Sequence, residues 1–200
     1  MKHLKFIAIA VLAIISANVS AQKAVDLGLP SGTLWADRNV GANSPEDYGD
    51  YYAWGETSTK RDYSLYTYQY YHNGYTNIGS NIAGSRYDVA RQAWGGGWKL
   101  PTKAQWEELE NRCTWTWTTE GGHSGYKVTG PNGNSIFLPA AGFRNGTLSL
   151  GVGSDGIYWG ATLIEGYIDS ARTLSFGSGG YGMDYDYRSC GHTVRPVTEK

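Results

Sequence analysis

Between Trp94 and Arg144 the chain reads WGGGWKLPTKAQWEELENRC, then a Gly- and Thr-rich gap, then GPNGNSIFLPAAGFR. That order predicts a turn, a capped helix, a long loop and a buried strand. Pro101 precedes Thr102, and Thr102 with Gln105 has the spacing of a capping box, which satisfies two orphan backbone N–H groups at a helix start. Glu107, Glu108 and Glu110 fall in the first half of that helix, where its dipole favours negative charge. Trp106, Leu109 and Cys113 recur at i, i+3 and i+7, which is one helical face. A helix with one apolar stripe must lie on something.

The remaining pattern supplies mostly short strands. Asp88 can cap a brief helix over 89–94, which the three glycines Gly95, Gly96 and Gly97 end. Strands are expected at 33–36, 126–129, 136–139, 157–162, 171–176 and 193–197, with a turn at Pro131-Asn132-Gly133. Residues 43–49 read as a loop, and 57–87 as a long irregular segment, a type that is usually functional or disordered. The 28 glycines punctuate aromatic and β-branched runs, and the core mass comes from 8 Trp, 16 Tyr and 4 Phe. The expectation is one α+β domain over 22–200, with two helices packed on small antiparallel sheets and long ordered loops.

Lys2 and Lys5, the apolar run 6–15 and the small residues Val19-Ser20-Ala21 have the form of a signal peptide covering 1–21. A ten-residue apolar run is shorter than the roughly 20 residues that span a bilayer. The expected product is an exported chain, placed in the periplasm, at the cell surface or outside the cell, with no membrane insertion after cleavage. Losing Lys2 and Lys5 lowers Lys plus Arg from 17 to 15 against 18 Asp plus Glu, a formal charge of −3. That balance argues against nucleic acid, which needs a basic face. The two cysteines, Cys113 and Cys190, suit a disulfide in an oxidising compartment or two buried thiols.

Catalytic patterns are sparse. No serine stands in G-x-S-x-G, and there is no H-E-x-x-H or C-x-x-C. His72, His123 and His192 are isolated. The GSGGYG segment at 177–182 lacks the lysine and helix start of a phosphate loop, so it reads as a β-turn. Asp184 and Asp186 alternate at strand spacing, as solvated carboxylates on one face do.

Seven phrases resemble the Fib_succ_major paralogous-domain family of exported bacterial proteins: VDLGLPSGTLWADRNVG, YYAWGET, WKLPTKAQWEEL, CTWTW, GPNGNSIFLPAAGFR, GIYWGAT and VRPV, in matching order over 25–197. The resemblance implies a C-type lectin-like fold and a binding role. No proline here stands in the Glu-Pro-Asn or Gln-Pro-Asp triplet of calcium-dependent sugar binding, so the expected binding is calcium-independent and uses no cofactor or metal. The related formylglycine-generating branch relies on a redox-active cysteine pair, whereas Cys113 sits at a helix end beside Trp115 and Trp117, a setting for packing.

The tyrosines indicate where a ligand binds. Tyr63, Tyr66, Tyr68, Tyr70, Tyr71 and Tyr75 crowd one segment with Ser, Asn and Gly, a composition used by antibody loops because Tyr offers large area at low entropy cost. A second surface is expected at Tyr181, Asp184, Tyr185, Asp186, Tyr187 and Arg188, flanked by Tyr158 and Trp159. The reading is a non-enzymatic recognition domain for a glycan or protein at the cell envelope. A structural subunit of a surface or fimbrial assembly and a formylglycine-generating enzyme are the alternatives.

Overall fold

The structure, a computed structural model, describes residues 22–200; the expected leader lies outside the described residues. In chain order the elements are β1 (Ala24–Asp26), β2 (Leu34–Ala36), a 3-10 turn (Leu65–Thr67), α1 (Val89–Trp94), α2 (Lys103–Arg112), β3 (Thr114–Glu120), β4 (His123–Thr129), β5 (Ser135–Pro139), β6 (Phe143–Asn145), β7 (Leu148–Leu150), β8 (Asp155–Ile164), β9 (Tyr167–Gly177), β10 (Gly180–Tyr187) and β11 (Val197–Thr198).

The expected balance of elements is overturned. Among the described residues strands make up 41% and helix 11%, so this part is predominantly β, with four small antiparallel sheets and one substantial helix. The expected pair of packed helices reduces to α2, because α1 has six residues and completes fewer than two turns. Both helix starts follow their local chemistry. The Asp88 side chain accepts from the N–H groups of Ala90 and Arg91, and Thr102 and Gln105 close a capping box.

The expected loop after α2 is a hairpin. β3 alternates Thr and Trp, and the two tryptophans turn toward the core while the hydroxyls of Thr114 and Thr116 stay outside. Of the expected terminal strand 193–197, only Val197 lies in a strand; β11 pairs with β2, which joins the two ends of the described chain in one sheet with β1.

The sheet ordered β10-β9-β8 divides the core. Tyr158, Leu174 and Phe176 face a cluster with Trp35, Trp106, Leu109 and Tyr126. Trp159, one step from Tyr158, and Ala171, three steps from Leu174, face a second cluster with Trp54, Ile78, Ile82 and Val194. Period-two alternation thus places apolar residues on both faces. Gly156 stands opposite Phe176 in the ladder, and a Cβ there would meet the Phe176 ring at 2.0 Å. Arg195, fully buried, ties the layers through Asn39 Oδ1 (2.8 Å), the Ala36 carbonyl (3.1 Å) and the Phe137 carbonyl (2.8 Å). Burial lowers its pKa to about 10, still charged at neutral pH.

Candidate functional site

Five of the sequence-predicted contact residues lie in the interior. Tyr63, Tyr68, Tyr158, Trp159 and Arg188 are each at most 2% exposed. Their polar tips are already partnered: Tyr63 Oη donates to the Tyr51 carbonyl at 2.5 Å, Tyr68 Oη to the Trp54 carbonyl at 2.6 Å, Tyr158 Oη to the Pro139 carbonyl at 2.7 Å, and Trp159 Nε1 to the Tyr52 carbonyl at 2.7 Å. These side chains support the surface and cannot touch a ligand.

Arg188 is the joint of that support. Its Nε donates to Tyr68 Oη at 2.8 Å, and its Nη1 donates to the Ile168 carbonyl at 2.9 Å and the Thr76 carbonyl at 3.3 Å. The guanidinium lies 5.0 Å from the Trp54 ring centre and 5.3 Å from those of Tyr68 and Tyr75. Aromatic faces and carbonyls therefore balance a buried charge. The result draws the tyrosine-rich segment onto the start of β9, so the two surfaces separated in sequence become neighbours. Tyr70, Tyr71 and Tyr75 are half-buried there, with Tyr71 and Tyr75 edge-to-face at 5.1 Å. Burial, then Asp169, raises the Tyr75 hydroxyl pKa, and Tyr187 adds to it. Tyr66, at 94% exposure, stands away from this cluster.

The exposed remainder forms a groove of about 250 Å³ lined by Tyr167, Asp169, Ser170, Tyr185, Asp186 and Tyr187. Tyr167, Tyr185 and Tyr187 are 64%, 60% and 59% exposed. Tyr185 and Tyr187 share one face of β10 at i and i+2, a spacing of about 6.6 Å along a strand. Tyr167 also borders a shallower depression of about 640 Å³ with Leu163, Ile164 and Ile168. Tyr181 belongs elsewhere: it stacks on Trp115 at 4.3 Å and 15°, closing the first core cluster.

β10 is an edge strand, and the last two of its outer donors are already occupied. Arg188 N–H bonds the Asp169 carbonyl, so the even residues of β10 pair with β9 and the odd ones direct their N–H groups outward. Tyr185 N–H instead donates to Asp184 Oδ1 at 2.9 Å, and Tyr187 N–H to Asp186 Oδ1 at 2.7 Å. The aspartates cap this end of the edge, which discourages strand addition there.

Asp186 also lies 3.0 Å from Nε2 of the fully buried His192, close in distance but poorly aligned as a hydrogen bond. Burial pulls the Asp186 pKa up, and contact with His192 outweighs this to hold it below the usual carboxylate range. Burial lowers the His192 pKa despite Asp186, so the imidazole is neutral at pH 7. Cys113 and Cys190 are both free, the second of the two alternatives the sequence left open. Burial raises the Cys113 thiol to about 11 and the Cys190 thiol to about 12. Among the described residues no group of three or more His, Cys, Asp or Glu side chains is placed to hold a metal ion, and no helix is long and apolar enough to cross a membrane.

Sequence reasoning missed Tyr167 and Asp169. The available signal was Glu165-Gly166, a turn dipeptide before Tyr-Ile-Asp, which starts β9 four residues earlier than the apolar run at 171 suggests. Compared with known proteins, the chain matches no family model, no curated protein and no solved structure.

Proposed function

We propose that this chain is a calcium-independent, non-catalytic recognition domain that binds a glycan at the cell envelope through Tyr167, Tyr185 and Tyr187. The observation that carries this reading is the groove itself: three largely exposed rings beside Asp169 and Asp186, on strands held from beneath by Arg188. Rings offer flat faces to sugar C–H groups, and carboxylates accept from sugar hydroxyls. The backing is rigid, so little ordering entropy opposes association. The leader pattern and the Fib_succ_major resemblance support export. The raised thiol pKa values argue against thiolate chemistry of the formylglycine-generating kind.

A glycan array probed with the protein and with a Tyr185→Ala/Tyr187→Ala variant tests this. A signal lost in the variant supports the site. A glycan signal retained in the variant moves binding elsewhere. A blank array for the wild type removes the glycan reading. A second reading, assembly with a protein partner, draws on Leu148, Leu150 and Val152, which are 61%, 38% and 46% exposed around β7. It predicts a complex recovered from the envelope that Leu148→Ser/Leu150→Ser disrupts.

A further inference from the structure

The charge of the tyrosine groove narrows its ligand class. Tyr167, Tyr185 and Tyr187 present polarisable rings, and Asp169 and Asp186 are the only charged residues lining the groove. Further acid lies at both ends, with Asp184 one step back along β10 and Glu165 in the adjoining depression beside Tyr167. No cation is among the lining residues. Arg188 is fully buried beneath, with its donors on Tyr68, Thr76 and Ile168. Arg172 stands across the ladder from Tyr185 and is not among the groove-lining residues.

Rings attract cations through their negative faces, most strongly where a site is partly desolvated. A carboxylate within reach adds a charge-assisted hydrogen bond. An anionic glycan would meet the opposite: repulsion from the two carboxylates, and no cation among the lining residues to pair its charge. We infer that the ligand is an amino-sugar glycan with free, protonated amines, one ammonium seated among Tyr167, Tyr185 and Tyr187 with Asp169 as counter-charge. Asp186 takes the lesser part, because its Oδ1 already accepts the Tyr187 N–H and its Oδ2 faces His192. Asp169 Oδ1 accepts from the Ser170 hydroxyl at 3.0 Å, which orients the group without neutralising it. This inference rests on the glycan reading of the same groove.

Titration calorimetry of the purified protein with a glucosamine hexamer and with its fully N-acetylated counterpart tests it. Acetylation removes the charge and keeps the sugar rings. The expected result is binding about tenfold or more tighter for the free-amine form, the size of a partly desolvated cation–aromatic contact. That preference weakens with added salt and falls in Asp169→Asn, which keeps the hydrogen bond from Ser170. Equal binding of both hexamers, lost in Tyr185→Ala/Tyr187→Ala, overturns the amine and leaves the tyrosine site standing. No binding of either hexamer, alongside a different glycan held by the same tyrosines, also overturns it. Preference for a lysine peptide over the free-amine hexamer overturns the sugar and keeps only the charge. No glycan binding of any kind removes the underlying reading as well.

Discussion

Arg188 Nε donates to Tyr68 Oη at 2.8 Å in the buried interior, 120 residues away in sequence, and Arg188 makes no ion pair among the described residues. One contact thus couples the tyrosine-rich segment to the end of β10. Replacing Tyr68 by Phe removes the hydroxyl and leaves a charged N–H without its acceptor, a loss of about 1.5–3 kcal/mol. For a chain of this size that corresponds to a Tm lower by roughly 3–12 °C. Calorimetric melting of Tyr68→Phe measures it, and an unchanged Tm would show that Arg188 does not depend on this hydroxyl.

Binding and stability separate at the groove. Tyr185→Ala and Tyr187→Ala remove exposed area, so stability changes by about 0.5 kcal/mol or less, while each costs more than about 1 kcal/mol of ligand affinity if it anchors the site. Tyr66→Ala is the informative control. Tyr66 is the most exposed ring and lies outside the groove, so it leaves affinity unchanged. Parallel titrations of the three variants decide the point, and a loss in Tyr66→Ala matching the others would move the site to the loop.

The aspartate caps on β10 predict a solubility phenotype. Asp184→Ala frees the Tyr185 N–H on an edge strand flanked by exposed tyrosines, opening a template for strand pairing. Light scattering at rising concentration detects self-association in the variant and not in the wild type. Identical monomeric behaviour would mean that something other than the carboxylate protects the edge.

His192 sets a pH window. Burial depresses its pKa in the folded chain, so below about pH 6.5 the unfolded chain takes up a proton that the folded chain refuses. Stability therefore falls as pH drops below 6.5 and levels off below the folded pKa. Asp186, depressed in turn, contributes stability above about pH 3.9 that is lost only at lower pH. Tm compared at pH 7.5 and 5.0 is expected to fall more in the wild type than in His192→Phe, where other buried carboxyls such as Asp88 titrate alike. Parallel slopes would assign the pH dependence to other groups.

The thiols make a chemical prediction. With pKa values raised to about 11 and 12, Cys113 and Cys190 hold almost no thiolate at pH 8. Alkylation followed by intact mass is expected to be slow on the native protein and to add two groups promptly after denaturation. Rapid native labelling, or a mass two hydrogens short, would contradict two free thiols, one buried and one partly buried.

Legibility followed range. The caps of Asp88 and Thr102 were readable because each involves residues within three positions. So was the turn between β9 and β10 in GSGGYG. β3 went unread although Thr114–Glu120 alternates, because a strand rich in Thr resembles loop composition until its tryptophans have a core to face. The expected pair of packed helices failed on length. Two capped starts announce two helices, but Gly95 ends α1 after six residues, at the bounds the local pattern predicts, and leaves only α2 as a substantial helix.

By itself the sequence determined the two helix caps, the glycine turns and the aromatic source of the core. Which tyrosines face outward was decided by tertiary structure. Tyr68 and Tyr185 are chemically the same side chain, yet one is 1% exposed and the other 60%. The difference is that Arg188, reaching back from the end of β10, needs the first as a hydrogen-bond acceptor and leaves the second on an open edge. Contacts spanning more than a hundred residues exist only after the chain closes, and no local pattern encodes them.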